Sequence, residues 1–575
     1  MISDEARGYC FWRGGDGAER VALTDGVMTS ATERLAVLLI RPLCDGDELE
    51  FAEPLGIERL AGYLLKHGVR NVRIFDRRLY AAEREAAVAA SMNNRNMFAD
   101  NYESRLDAPS FYDDLRAEYS GRANRLEMAG PDVVGISLMT SSDVRDALRV
   151  MSRLASWWPD ARFVVGGVYV THASEDVARR FPRGTMLLRG EGERALLEFV
   201  RECAEQGGSR PWREGESSLV APDVPSTNRQ ASLQASPPAW QEPVKQEPPS
   251  GSPQALAPDG VVLLLSPDDW ARPLRTDLER YARLGCAVNM QTSRGCPGAC
   301  TFCATPQQPA GLRKWQPRSM QLVANEIQFE AIRLARAGLP PVFNFVDDDF
   351  GPLTRVEELA DELDRRYLRV AFSLEMRMAS LAHASNLAGR LERLRAAGLT
   401  RVFVGVESLN EATLERWHKR YDVNALPQVV SAFARAGVAL QTGYILWHKH
   451  QTVNGARAEV ETLWQMSIYS HQMALSRLIV FPGCALATRS DSTGLESLAP
   501  DAERFYRRLS DRAMGLRERW LKAALREPYL AACAWLDGDS SELDALRAEL
   551  ATVNRLSYEA FCEEYGFHQS RYRGI

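Results

Sequence analysis

Cys296, Cys300 and Cys303 stand close together in the run SRGCPGACTFC. Thiolates at C-x3-C-x2-C on one tight loop suit three irons of a cubic iron–sulfur cluster and leave the fourth iron open to another ligand. Gly295, Pro297 and Gly298 suit a backbone that must wrap closely around such a group. Zinc is the competing chemistry, but it wants a fourth ligand at suitable spacing, and the next histidine is His383. The other seven of the ten cysteines are scattered, too sparse in 575 residues for a disulfide scaffold.

The triplet needs elements to position it. Strand-like runs follow one another at Val288–Thr292, Val342–Val346, Val370–Leu374, Arg401–Val406, Ala439–Ile445 and Ser476–Val480. Helical patterns stand between them, at Met320–Ala337, Arg355–Tyr367, Asn386–Ala397, Val423–Ala436 and Ala456–Met466. Six βα units imply a partial (β/α)6 barrel over 261–498, with its active site at the carboxyl ends of the strands. The triplet follows the first of them. From 499 to 575 the pattern is helical, and Trp520, Tyr529, Trp535, Tyr558, Phe561, Tyr565 and Phe567 are expected to form a helical core.

An earlier series runs from 32 to 206. Its strands are Leu35–Ile40, Val72–Phe75, Val133–Leu138, Phe163–Val165 and Met186–Leu188, with helices at Pro54–His67, Ser142–Trp157 and Arg194–Glu205. Strands alternating with helices imply a parallel sheet and a Rossmann-like domain. A polar, helix-prone insertion at 81–127 carries no assignable chemistry. Between the two series, 207–260 is rich in Pro, Ser, Gln and Glu and reads as a flexible linker; Trp240 within it reads as a solvated aromatic.

The barrel series resembles the radical S-adenosylmethionine (radical SAM) superfamily, whose signature is this triplet after the first strand of a partial barrel. The likeness extends through Val288–Pro482. It implies a [4Fe-4S] cluster on Cys296, Cys300 and Cys303, with S-adenosylmethionine on the open iron. Phe302 matches the aromatic that packs near the adenine. Asp347 and Asp348, in NFVDDDF, are candidates for the methionyl amine, or else a strand-end turn with helix caps. Glu375 and Arg377 in LEMRM, and Glu407 and Ser408 in GVES, match polar cofactor contacts. Gly443, Tyr444 and the FPG run Phe481–Gly483 end the fifth and sixth strands.

The first series resembles the cobalamin-binding domains of radical SAM enzymes, in PLGIERLAGYLLKHG, DVVGISLMTSS, VVGG and RGEGE. The resemblance implies that Thr140, Ser141 and Ser142 contact the nucleotide loop or corrin amides. It implies close backbone approach at Gly166 and Gly167, with Gly190, Glu191 and Gly192 on the same edge. The alternative is a domain that keeps the fold without the cofactor. No D-x-H-x-x-G motif occurs, and His67 and His172 are expected at the surface, so no histidine is expected beneath cobalt.

Together the resemblances imply a cobalamin-dependent radical SAM methyltransferase acting on an unactivated carbon of a small molecule, by way of methylcobalamin and a 5′-deoxyadenosyl radical. The C-terminal helices are expected to close over the substrate. Cyclisation, ring contraction or rearrangement without methyl transfer is the second expectation. A methylthiotransferase would need a second cluster, and Cys10, Cys44 and Cys203 are too widely spaced to bind one. A non-catalytic cobalamin or redox sensor ranks last. The expected partners are a small-molecule substrate and a flavodoxin- or ferredoxin-type electron donor. A net charge of −6 gives no argument for nucleic acid or a membrane surface. No apolar run is long enough to span a bilayer, and Met1–Trp12 is too charged for a signal peptide. The expected location is the cytoplasm.

Overall fold

A computed structural model describes residues 34–44, 52–91, 109–120, 130–182, 184–205, 265–305, 315–481, 484–486 and 496–565. The expected linker with Trp240, much of the insertion, Pro482, Gly483 and Phe567 lie outside these residues.

The first strand, β1 (Ala36–Arg41), is an unbroken apolar run because it lies mid-sheet and is covered on both faces. Leu38 and Ile40 enter one core, Val37 and Leu39 the other. After α1 (Leu55–Lys66), β2 (Asn71–Asp76) pairs parallel on one side of β1. Then come α2 (Arg77–Ser91) and α3 (Pro109–Ser120), the helical parts of the insertion. The next strand, β3 (Val133–Ser137), takes the other side of β1. Beyond it run α4 (Val144–Trp157), β4 (Arg162–Gly166), α5 (Val168–Arg180), β5 (Met186–Leu187) and α6 (Gly192–Glu205). The sheet order is β2-β1-β3-β4-β5, and the reversal between β1 and β3 opens a crevice at the carboxyl edge. Helix α4 shows why such helices dock: Val144, Ala147, Val150, Met151 and Leu154 are buried on one face while Arg145, Arg149 and Arg153 turn outward.

The second half begins with α7 (Leu278–Arg283) and β6 (Val288–Met290). Two-residue strands β7 (Ser293–Arg294) and β8 (Gln316–Pro317) pair antiparallel and pin both ends of the cysteine region. The alternation continues through α8 (Met320–Arg336), β9 (Val342–Phe345), α9 (Leu353–Arg365), β10 (Ala371–Arg377), α10 (Met378–Ala382) and α11 (Leu387–Ala396). It ends with β11 (Leu399–Glu407), α12 (Glu411–Arg416), α13 (Leu426–Ala436), β12 (Ala439–Tyr444), α14 (Val453–Gln465) and α15 (His471–Leu475). The order β12-β11-β10-β9-β6 puts each strand beside its predecessor, all parallel, around one large apolar core. The expected sixth strand is reduced to a bridge. Trp447 N–H donates to the Ser476 carbonyl at 2.9 Å, and Leu478 N–H donates to the Trp447 carbonyl at 2.8 Å.

Helices α16 (Pro500–Asp537) and α17 (Ser541–Glu564) pack on each other and on the barrel. Phe561 is buried with Tyr558 and Tyr565 against the barrel core, as a helical core requires. The far end of α16 departs from one expectation. Ala532 packs on Val342 and Ala371, the first residues of β9 and β10. Arg369 donates to the Trp535 and Leu536 carbonyls at 3.1 and 3.0 Å. The far end of α16 therefore seals the amino ends of the strands, opposite the cysteine loop, and does not cover a substrate at the carboxyl mouth.

Candidate active site at two facing sheet edges

Beyond β6 the chain runs through Gln291–Arg294 into the cysteine loop. Gly295 turns it with φ +75°. Gly298 N–H donates to Cys296 Sγ at 3.4 Å, and a Cβ on Gly298 would lie 3.3 Å from that sulfur and 3.6 Å from Arg377 Nε. The loop closes this tightly because the residue is glycine. Cys300 is buried and Cys296 and Cys303 are half-buried. Burial pushes the Cys296 thiol up to about 11, against the Gly298 N–H and the Arg377 charge. Burial likewise raises Cys300, against Lys419. Among the described residues no three His, Cys, Asp or Glu side chains converge on one point closely enough to hold a single ion. Three soft thiols on one loop, with two cations beside them, fit an iron–sulfur cluster.

The carboxyl ends of the next strands surround this loop with charge. Asp347 is buried, and its Oδ1 accepts from Thr292 N–H at 2.9 Å, Thr292 Oγ1 at 3.1 Å and Ser293 Oγ at 2.6 Å. It braces the stem of the loop. Burial raises its carboxyl to about 6 despite those donors. Asp348 points the other way, exposed, with Thr305 Oγ1 at 3.4 Å. Sequence reasoning passed over Asp349, which accepts from Arg377 N–H at 3.4 Å and whose charge acts on Cys296. The signal was its place in the same DDD run, beside the two aspartates already named.

Glu375 is exposed and Arg377 half-buried at the end of β10. Glu407 ends β11 with φ +69° and pairs with Lys419 at 3.0 Å. Lys419 was not among the expected residues; it arrives from beyond α12 by tertiary packing. Ser408 is buried and donates to Glu459 at 3.2 Å, in a network that also takes the Tyr444 hydroxyl. It is a packing residue of the rim and does not face the mouth. A Cβ on Gly443 would lie 2.7 Å from Phe403, so that glycine serves strand packing. Phe302 stands edge-on to Trp417 at 5.4 Å, against Leu478 and Val480, and Phe481 is exposed.

The Rossmann-like edge is different. Thr140 and Ser141 are exposed and Ser142 half-exposed beyond β3, where Met139 and Thr140 N–H groups donate to Asp143 at 2.5 and 3.1 Å. Gly167 has φ +104°, and a Cβ there would meet the Leu138 carbonyl at 2.3 Å. Its glycine is required by the neighbouring strand end. Gly166 has ordinary room, with Leu188 at 3.6 Å. Met139, next after Leu138, and Val168, next after Gly167, are 45% and 47% exposed. Gly190 N–H donates to Thr171 Oγ1 at 3.0 Å, and Gly192 opens α6. Glu191 turns toward the barrel and pairs with Arg294 at 2.8 Å. His67 and His172 are half-buried, His67 against Tyr63 at 4.3 Å, and burial lowers both.

Residues beyond β1, in α1 and at the end of β2 meet the second half at α7 and around its first strand. Glu53 accepts from Asn289 N–H at 3.0 Å, Tyr281 donates to Asp76 at 2.6 Å, and Arg59 donates to the Gln291 carbonyl at 3.2 Å. Buried Arg275 lies among Glu53, Glu58, Glu326 and Glu330. The carboxyl edge of the first sheet is thereby held against the strand that carries the cysteine loop.

Residues 290–452 match the Radical SAM superfamily and residues 114–200 the B12 binding domain. The chain thus carries a radical SAM domain and a B12 binding domain, the pair of domains that cobalamin-dependent radical SAM enzymes combine. Its first-named domain implies a [4Fe-4S] cluster and S-adenosylmethionine, and its second implies cobalamin. Among curated relatives, an anaerobic magnesium-protoporphyrin IX monomethyl ester cyclase of Rubrivivax gelatinosus is 23% identical over 326 residues, 56% of this chain and 52% of the relative. A hopanoid C-2 methylase of Rhodopseudomonas palustris is 28% identical over 160 residues, 28% of this chain and 29% of the relative. The cyclase alignment thus spans only about half of that relative's length. The solved structure of the cobalamin-dependent S-adenosylmethionine radical enzyme OxsB superposes with a TM-score of 0.62 at 14% identity, over 92% of this chain and 72% of that one. That likeness concerns the fold. No helix among the described residues is long and apolar enough to cross a membrane.

Proposed function

We propose that the protein is a methyltransferase that places a methyl group on an unactivated carbon of a small molecule. The observation that carries this reading is the junction of the two halves: the edge proposed for cobalamin is tied to the stem of the cysteine loop. The methylase among the relatives supports it. When bound, the cluster supplies the electron that cleaves S-adenosylmethionine, and cobalamin carries the methyl group.

The chain's own residues then have distinct tasks. Cys296, Cys300 and Cys303 would hold the cluster. Asp348, Asp349, Glu375 and Arg377, with Glu407 and its partner Lys419, offer the mixed charges that an amino-acid moiety needs, and Phe302 an apolar wall. Thr140, Ser141, Ser142 and Gly166 would meet cobalamin, with Met139 and Val168 as an apolar floor. A flavodoxin- or ferredoxin-type donor would provide electrons, in the cytoplasm. The cyclase relative favours one second reading, ring formation without methyl transfer.

Anaerobic turnover with labelled S-adenosylmethionine and a substrate panel tests the choice. Near-equal release of 5′-deoxyadenosine and S-adenosylhomocysteine, with label in product, is expected. Deoxyadenosine without the second product would overturn methyl transfer in favour of rearrangement.

A further inference from the structure

The four residues leading into the cysteine loop, Gln291–Arg294, are gripped by both halves of the molecule. The barrel supplies three holders. Arg318 donates to the Gln291 carbonyl at 3.1 Å, Arg355 donates to the Thr292 carbonyl at 3.0 Å, and Asp347 takes Thr292 N–H and Ser293 Oγ. The Rossmann-like domain supplies the rest. Arg59 of α1 donates to the same Gln291 carbonyl, and Glu191 and Glu193, at the start of α6, both pair with Arg294. Trp270 fills the space between these cations, with Arg294, Arg59 and Arg318 at 4.3, 5.0 and 5.6 Å from its ring centre.

These contacts are buried, so solvent screens them little. Arg294 keeps 17% of its side chain exposed, Glu191 9% and Glu193 7%. Each end of the latch touches a proposed cofactor edge. Arg294 is two residues from Cys296, and Glu191 and Glu193 belong to the glycine turn beyond β5. A ligand that shifts or stiffens that turn must act on the stem of the cluster loop, and the reverse holds equally.

We infer that Arg294, held by Glu191 and Glu193, is a positioning residue that couples occupancy of the cobalamin edge to binding of S-adenosylmethionine at the cysteine loop. The inference rests on the reading of the Rossmann-like edge as the cobalamin site. Linkage makes the coupling reciprocal: each ligand must change the other's affinity by the same factor, with allosteric couplings of this kind running from about 5- to 150-fold.

The test uses full-length protein with its cluster reconstituted anaerobically. S-adenosylmethionine is titrated with and without saturating hydroxocobalamin, and hydroxocobalamin with and without S-adenosylmethionine, following binding by calorimetry and by cobalamin absorbance. The wild type is expected to show the same coupling factor, at least about fivefold, from both directions. Glu193→Gln should bind each ligand alone within about threefold of wild type yet lose the coupling, and Arg294→Lys, which keeps the charge, should retain part of it. Should Glu193→Gln not accumulate with its cluster, Glu193→Asp, which keeps the charge but shortens its reach to Arg294, supplies the same comparison. A wild-type factor near one, or an undiminished factor in Glu193→Gln, overturns the inference while leaving the function intact. Absence of any cobalamin binding by the wild type overturns both.

Discussion

The two carboxyl edges that meet at the junction of the halves are chemically unlike. The barrel edge carries Asp348, Asp349, Glu375, Arg377, Glu407 and Lys419 around a ring of thiols. Between β3 and β4 the Rossmann-like edge presents hydroxyls, glycines, Met139 and Val168. Charged groups suit the amine and carboxylate of an amino acid, because charge-assisted hydrogen bonds are strong where water is partly excluded. A large flat ring bordered by neutral amides wants the second surface, apolar with hydroxyl groups at its margin. Four carboxylates of the Rossmann-like half, Glu53, Asp76, Glu191 and Glu193, instead meet the barrel, while Asp143 is taken up by the backbone of its own turn. The contrast suits the proposed division of labour, in which one edge would recognise by charge and the other by shape.

Removing the thiols is the bluntest way to break this contrast. Cys296, Cys300 and Cys303 replaced together by Ala should abolish the cluster absorbance near about 400 nm and all deoxyadenosine formation. Cobalamin titration should still show binding, since its edge keeps every residue; loss of both would deny that the edges are separate. Arg377→Ala should weaken S-adenosylmethionine binding by about 10- to 100-fold, the worth of a hydrogen bond to a charged group. Isothermal titration would read it, and an unchanged affinity would remove Arg377 from the site.

The neighbouring glycines sharpen the other half of the comparison. Gly167→Ala should lower stability by about 1–3 kcal/mol, because its backbone conformation disfavours a side chain and the Cβ meets Leu138. Gly166→Ala has room in the chain and should leave the melting temperature within a degree or two, roughly the surface-substitution range. Any loss of cobalamin affinity in Gly166→Ala then reports ligand approach alone.

The smallest effect lies in the charge between the halves. Burial raises Glu330 to about 7, with Arg275 and Arg333 opposing. Between about pH 4.5 and 7 the folded protein keeps a proton that the unfolded chain has released. The stability this group contributes is complete below that window and declines as pH rises through it. Glu330→Gln should flatten the dependence of thermal midpoint on pH there, by an amount on the order of 1 kcal/mol; an unaltered slope would place the titration elsewhere.

Much of this was legible because local signals agree. The cysteine spacing, the buried run of β1 and the strand-end motifs each mark an element by its own residues. What escaped depends on distant partners. Ser476–Val480 has the composition of a strand, but its neighbour beyond β12 offers only Trp447. Helix α5 opens with VYVT, β-branched and aromatic residues that imitate a strand. Arg59, Arg275 and Arg294 look like ordinary surface charges, and only the meeting of the halves buries them. The helical periodicity of α16 says which face is apolar; it does not say which end of the barrel that face will cover.

The backbone at Glu407 has one more consequence. A left-handed conformation at a residue with a side chain costs on the order of 1–3 kcal/mol, and here the same side chain is anchored by Lys419. Glycine would relieve the strain but leave Lys419, its side chain only 10% exposed, without its carboxylate, and an uncompensated buried charge costs more than the strain. A library screened only for heat resistance should therefore keep Glu407, and should admit glycine there only where Lys419 has itself been replaced by an apolar residue.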